Sequence, residues 1–332
     1  MLYVCISCDA DPDRESYGGA PLTRRSDFAW KGITEGITFF NNNVRKDSMP
    51  VTWFARSDIQ LDAFLTFEKL FFGLRERGDE IAWHVHFWRW HDEKGSWFQE
   101  TKDKTWLSSC VDKGFSQLPK EFGIESVKSG WGFHNEFTLC LLSERGLRAD
   151  FSCVPDLRNV SRTEQGLPYD VMDWVGAPIE PYHPHGLSIL EVPNSTYPYG
   201  ARKIFTRFLS ALPQLIVRRR GFASVATQPQ FFQRVVDDAF KRAARSGKWY
   251  LLSYFHPDCL LAEAASGLYE NRDFLVHNLK YIEAMSQKTD VPVTYVTGRE
   301  LSALWSDQGP GAKIGPVAKT GPGTKNGPGA KM

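Results

Sequence analysis

Leu2-Tyr3-Val4-Cys5-Ile6-Ser7-Cys8-Asp9-Ala10-Asp11-Pro12 begins as an apolar run and stops at two carboxylates one residue apart. The run 2–8 has the composition of a strand buried on both faces, and Pro12 punctuates its end. Carboxylates at a strand's C-terminal end stand where α/β folds gather their chemistry. The stretch therefore predicts an α/β architecture and assigns half of its site to Asp9 and Asp11. On a strictly extended chain the two side chains face the same way, so one metal ion has access to both. Cys5 and Cys8 form a CxxC, yet positions three apart in a strand face opposite sides, and no second CxxC follows; they read as core thiols.

Working outward, apolar periods alternate with punctuation. Trp30, Ile33, Ile37 and Phe40 predict a helix over 28–46, after a loop at 17–21, and Val51-Thr52-Trp53-Phe54-Ala55 reads as the next strand. Leu61, Phe64, Leu65, Leu70, Phe71 and Leu74 recur at intervals near three and four, predicting an amphipathic helix that Gly78 stops. Glu80-Ile81-Ala82-Trp83 is then a strand running into His84-Val85-His86. Strand, helix, strand, helix, strand predicts a parallel sheet or barrel covered by helices.

The remaining pattern is coarser. An exposed loop is expected over 92–103, a helix over 107–122, a second helix N-capped by Asn135 and stopped by Gly146, and a strand over 148–152. The stretch 155–200 lacks a period and reads as a long irregular insertion, which in a compact protein is usually functional. Helices are expected over 203–215 and 230–246, separated by Arg218-Arg219-Arg220 as a solvated basic turn. Trp249-Tyr250-Leu251-Leu252-Ser253-Tyr254-Phe255 is a strand ending in His256-Pro257, followed by a helix over 274–286 and a strand over 291–296. From Gly309 the chain repeats GPGAKI, GPVAKT, GPGTKN and GPGAKM. Such Gly, Pro and Lys content cannot bury a core, so 306–332 is expected as a disordered tail behind a single domain over 1–305.

A formal net charge of +1 implies no field that gathers nucleic acid or anionic membrane. No apolar run approaches bilayer span length, and the basic and apolar pattern of a secretory signal is absent at the start, so a cytoplasmic protein without membrane insertion is expected. The chemistry must come from residues that the fold gathers. Asp9, Asp11, His84, His86 and His256 are the parts of a one-metal hydrolase of amides or esters, because carboxylate oxygen and neutral imidazole nitrogen suit zinc or a neighbouring divalent ion. A spare carboxylate can take a proton from water, and a histidine opposite can protonate the departing group.

Read in order, these segments resemble the NodB-type polysaccharide deacetylases, the family-four carbohydrate esterases, across roughly 2–296. Asp9-Ala10-Asp11 resembles the first motif, and Gly78-Asp79-Glu80-Ile81 followed by His84 is similar to the approach to the metal histidines. Lys128-Ser129-Gly130-Trp131 with Arg148-Ala149-Asp150-Phe151-Ser152 resembles the third motif, Asp170-Val171-Met172-Asp173-Trp174 the fourth, and Phe255-His256-Pro257 the fifth. His84-Val85-His86-Phe87-Trp88 departs from the usual histidine spacing, as in an HxHxW subset, with His91 the other candidate for the third ligand.

The resemblance implies a distorted, incomplete (β/α) barrel of about seven strands that removes an N-acetyl or other N-acyl group from an amino sugar or glycan precursor. It implies that Asp11, His84 and His86 hold a divalent metal, most simply Zn2+, that Asp9 is the base and that His256 is the acid. Lys128, in place of the usual arginine, would orient Asp9. Asp170 or Asp173 would adjust His256, and Trp88, Trp131, Trp174 and Tyr182 would line the substrate pocket. A non-sugar amide, a formyl group, or a carbohydrate-binding protein without catalysis are the other readings. His134, His183 and His185 carry no implied role.

Overall fold

A computed structural model describes residues 1–13, 28–198, 220–261 and 270–306. The expected loop at 17–21, the helix over 203–215, most of the basic triplet and the tail lie outside them. In chain order come β1 (Leu2–Ala10), a wide helical turn (Gly32–Gly36) continuing into α1 (Ile37–Asn43), β2 (Val51–Arg56), α2 (Ala63–Glu76) and β3 (Glu80–Val85). Then follow β4 (Trp88–His91), β5 (Ser96–Gln99), α3 (Lys104–Ser116), β6 (Ser126–Ser129), α4 (Glu136–Glu144) and β7 (Ala149–Asp150). The later elements are β8 (Arg158–Arg162), β9 (Pro168–Asp173), β10 (Leu190–Glu191), β11 (Thr196–Pro198) and β12 (Arg220–Phe222). Last come α5 (Pro229–Ser246), β13 (Trp249–Phe255), α6 (Arg272–Thr289), β14 (Val293–Tyr295) and α7 (Gly298–Ser306).

Seven strands form one parallel sheet in the order β10-β7-β6-β3-β2-β1-β13, and β14 pairs with the start of β1. The result is a distorted, incomplete (β/α) barrel. Its edge strands β10 and β13 are not laddered together, but Ser195 spans the gap. Its N–H donates to Leu252 O (3.0 Å) and its Oγ accepts from Leu252 N (2.9 Å), so a hydroxyl replaces a backbone carbonyl on one rung. Helices α1, α2, α5 and α6 cover the outer face through Leu2, Val4, Ile6 and Cys8 of β1, while Cys5 turns inward to Phe54, Phe151, Leu252 and Trp305. Period-two alternation thus separates Cys5 from Cys8, as expected of two core thiols.

Local chemistry sets the element ends. Asp62 accepts from Leu65 N to cap α2, Asp103 from Trp106 N to cap α3, and Asn135 from Phe137 N and Thr138 N to cap α4. Below the sheet, Asp79 takes both Arg45 guanidinium nitrogens (2.7 and 2.6 Å), Val51 N and Trp53 Nε1. That single carboxylate ties the entry of β3 to β2 and to the segment after α1.

The structure differs from the sequence expectation in three places. The 92–103 loop is partly the hairpin β4–β5, which turns at Gly95 in the left-handed region and pairs Trp90 with Trp97. The 155–200 insertion contains the hairpin β8–β9 and the sheet strand β10. Cross-strand pairing supplied the order that polar, aromatic-rich composition concealed. Helix α7 was not expected; its start is held by Glu80, whose carboxylate accepts from Arg299 N (2.8 Å). Among the described residues no helix is long and apolar enough to cross a membrane.

Candidate metal centre

The parallel register brings the singled-out residues to one end of the sheet. Ala10 pairs with Ala55, Arg56 with His84, His84 with Lys128, and Cys8 with Phe255. Asp9, Asp11, Arg56, His84, Lys128 and His256 therefore sit at or just past the C-terminal ends of five neighbouring strands, where α/β folds place ligands.

Asp9 and Asp11 do not share a direction. Asp11 N donates to Asp9 O (2.8 Å), a three-residue turn that breaks the extended chain. Asp9 meets Lys128, whose Nζ lies 2.8 and 2.7 Å from its two carboxylate oxygens. The same ammonium stands 3.5 Å from the Tyr254 ring centroid, a cation–π contact that fixes it from the other side. Asp11 instead faces His84 Nε2 (3.3 Å), His86 Nε2 (3.5 Å) and Arg56 Nη1 (3.3 Å).

One ligand atom from each of Asp11, His84 and His86 falls within 4.8 Å of the others, and all three residues are buried. His84 Nδ1 meets Lys128 O (2.9 Å), which turns its Nε2 lone pair toward Asp11, the outer-shell arrangement that metal-ligating histidines use. His86 Nε2 lies 3.0 Å from His84 Nε2. Gly130 is essential to this packing, because any Cβ there would overlap the His86 imidazole. Burial pushes the Asp11 carboxyl up, but His84 and His86 hold it well below the usual carboxylate range. Burial and then the Arg56 charge push His86 down to about 4, so it is neutral near pH 7, the form a metal takes. Oxygen, nitrogen and nitrogen around one point, with His84 aimed by a backbone carbonyl, fit a divalent cation of the zinc type.

His91 lies elsewhere, on the hairpin against Phe98, so among the described residues the grouped histidines are His84 and His86. Trp88 donates its indole N–H to His86 Nδ1 (3.1 Å) and forms an aromatic trio with Trp131 and Tyr169 at ring-centroid distances of 5.2 to 5.6 Å. Trp131 has φ +60°, an uncommon backbone state for a bulky residue. Trp174 is buried, stacked on His134 and bonded to Gly132 O, so it braces the turn below Trp131. Tyr182 exchanges backbone bonds with Glu191, and its side chain reaches Cys153.

His256 lies against Tyr254 and, through Nδ1, 3.6 Å from Glu270 Oε2. Asp170 and Asp173 do not reach it. Asp170 pairs with Asn159 and Asp173 with Arg158, both across the β8–β9 hairpin. Glu270 stands beside His256 and is itself anchored by Ser224 Oγ (2.5 Å). Glu270 and Arg56 were missed in the sequence. Arg56 carried a signal, a lone charge ending an apolar strand; Glu270, just before a helix cap, carried none.

The chain matches no family model and no curated protein. Its fold does match a solved structure from Mycobacterium smegmatis described as a polysaccharide deacetylase, with 15% identity, 97% of this chain and 94% of that chain covered, and a TM-score of 0.51. That likeness establishes the fold. A Bordetella bronchiseptica structure described as a polysaccharide deacetylase involved in O-antigen biosynthesis aligns over 58% of this chain and 57% of its own at 14% identity and a TM-score of 0.31. A 4-alpha-glucanotransferase from Thermococcus litoralis aligns over 92% of this chain and 39% of its own at 11% identity and a TM-score of 0.44. Scores that low add nothing further.

Proposed function

We propose that this chain is a metal-dependent hydrolase that removes an N-acyl group, foremost N-acetyl, from an amino sugar. The observation that carries the reading is the grouping of Asp11, His84 and His86 beside the Lys128-held Asp9 at the C-terminal end of an incomplete barrel. The fold likeness to a protein described as a polysaccharide deacetylase supports it. Asp11, His84 and His86 would hold the cation. The chemistry such an ion would supply there is polarisation of an amide carbonyl and acidification of water toward neutral pH.

The protein's own groups do the proton work. Asp9, fixed on both oxygens by Lys128, accepts the proton of the attacking water. His256, backed by Glu270, donates a proton to the departing amine, without which the amine is a poor leaving group. The trio of Trp88, Trp131 and Tyr169 offers flat apolar surface beside His86 for a sugar ring.

Acetate release from N-acetylated amino sugars is the test. Release should stop with a chelator, return with zinc or cobalt, and fall by about 10²–10⁴-fold in Asp9→Asn while zinc binding persists. Absence of release from every N-acyl sugar offered to the zinc-loaded protein would overturn the assignment.

A further inference from the structure

Arg56 is a permanent cation inside the candidate metal centre. It ends β2, is 3% exposed, and reaches Asp11 Oδ1 with Nη1 (3.3 Å) and Asp58 Oδ2 with Nε (2.8 Å). Asp58 is itself rigid, since its Oδ1 accepts from Gln60 N (2.7 Å) and Leu61 N (3.0 Å). The guanidinium is therefore held in place independently of Asp11. A guanidinium does not lose its charge in a protein. A buried carboxylate left without a cation is strongly destabilising. Any divalent ion entering the trio brings a second positive centre to a carboxylate that already faces one.

We propose that Arg56 is a resident counter-cation that stands in for the metal at Asp11, so that the metal-free site is a closed, stable arrangement and metal binding is weakened by it. This rests on reading Asp11, His84 and His86 as the metal site. The consequence is a centre that loads and releases its ion without unfolding, in contrast to sites whose apo form collapses.

The test compares full-length wild type, Arg56→Gln and Arg56→Lys, each stripped of metal, by zinc competition against a chromophoric chelator and by thermal unfolding with and without zinc. Arg56→Gln should bind zinc about tenfold tighter or more, because a like charge near the ion is gone. Its metal-free midpoint should fall, so that the gap between metal-free and zinc-loaded forms widens. Arg56→Lys, which keeps the charge, should stay near wild type. Unchanged or weaker zinc affinity in Arg56→Gln overturns the proposal. Should Arg56→Gln survive only with zinc, unfolding on chelation in that variant but not in wild type supports it. Unfolding with zinc present as well overturns it, because Arg56 is then needed whatever occupies the site. Zinc binding that His84→Ala does not weaken would sink the metal-site reading itself, separately from the role of Arg56.

Discussion

At the scale of single residues, the carboxylates of Asp9 and Asp11 are two positions apart and face different cations, Lys128 for one and Arg56 for the other. The three-residue turn between them makes that division, and extended spacing alone does not. His86 shows how one hydrogen bond selects a proton position. An indole N–H can only donate, so His86 Nδ1 accepts from Trp88, and neutral His86 carries its proton on Nε2, next to His84 Nε2. His84 completes the chain by donating from Nδ1 to Lys128 O. Ligation through His86 Nε2 therefore requires the proton to move to Nδ1 and the indole to yield. Nitrogen NMR of the metal-free protein should show His86 protonated at Nε2, and Trp88→Phe should shift the balance toward Nδ1. A wild-type His86 protonated at Nδ1 would contradict the bond.

Among elements, the short strand β6 and the turn after it matter more than their length implies. They present Lys128 to Asp9, a backbone carbonyl to His84, and the bare Gly130 backbone to the His86 ring. A methyl group at position 130 has to push the imidazole away, since the strand behind it is paired to β3 and β7. Gly130→Ala should therefore keep the fold, judged by its circular dichroism, while zinc affinity falls by about 10–100-fold, the range seen when the support of a metal ligand is lost. Retained affinity would show that the turn has slack. The β4–β5 and β8–β9 hairpins are the corresponding lesson in reading. Gly95 and Gly166 mark their turns at positive φ, yet the flanking residues are too polar and too irregular for strand alternation to stand out.

For the whole molecule, the buried charges set the response to pH. Burial raises the Asp150 carboxyl to about 6 against the hydrogen bonds from Ser152, and Glu191, one strand away, is raised as well, by burial and then by Asp150. A raised carboxylate binds its proton more tightly folded than unfolded. Its contribution to stability is complete below the unfolded value near 4 and is lost as pH rises through about 6. Asp150→Asn removes that dependence. Unfolding measured from pH 4 to 7.5 should show the variant gaining on wild type by on the order of 2–3 kcal/mol across this window. Parallel curves would mean that Asp150 titrates alike in both states.

The order of elements was legible in the sequence because it is written in near-neighbour periodicity. An apolar run ending in Asp9, amphipathic spacing from Leu61 to Leu74, and a strand from Trp249 into His256 each declare themselves locally, and their alternation points to a parallel sheet with chemistry at one end. Partnerships across strands are a different kind of information. That His86 rather than His91 lies with Asp11 and His84 and that Arg56 shares Asp11 were decided by register and by the turn at Asp11, and that Glu270 rather than Asp170 or Asp173 faces His256 by the bridge between Glu270 and Thr227. A side chain reaches its partner only after the intervening chain has been folded between them, and no local period encodes that distance.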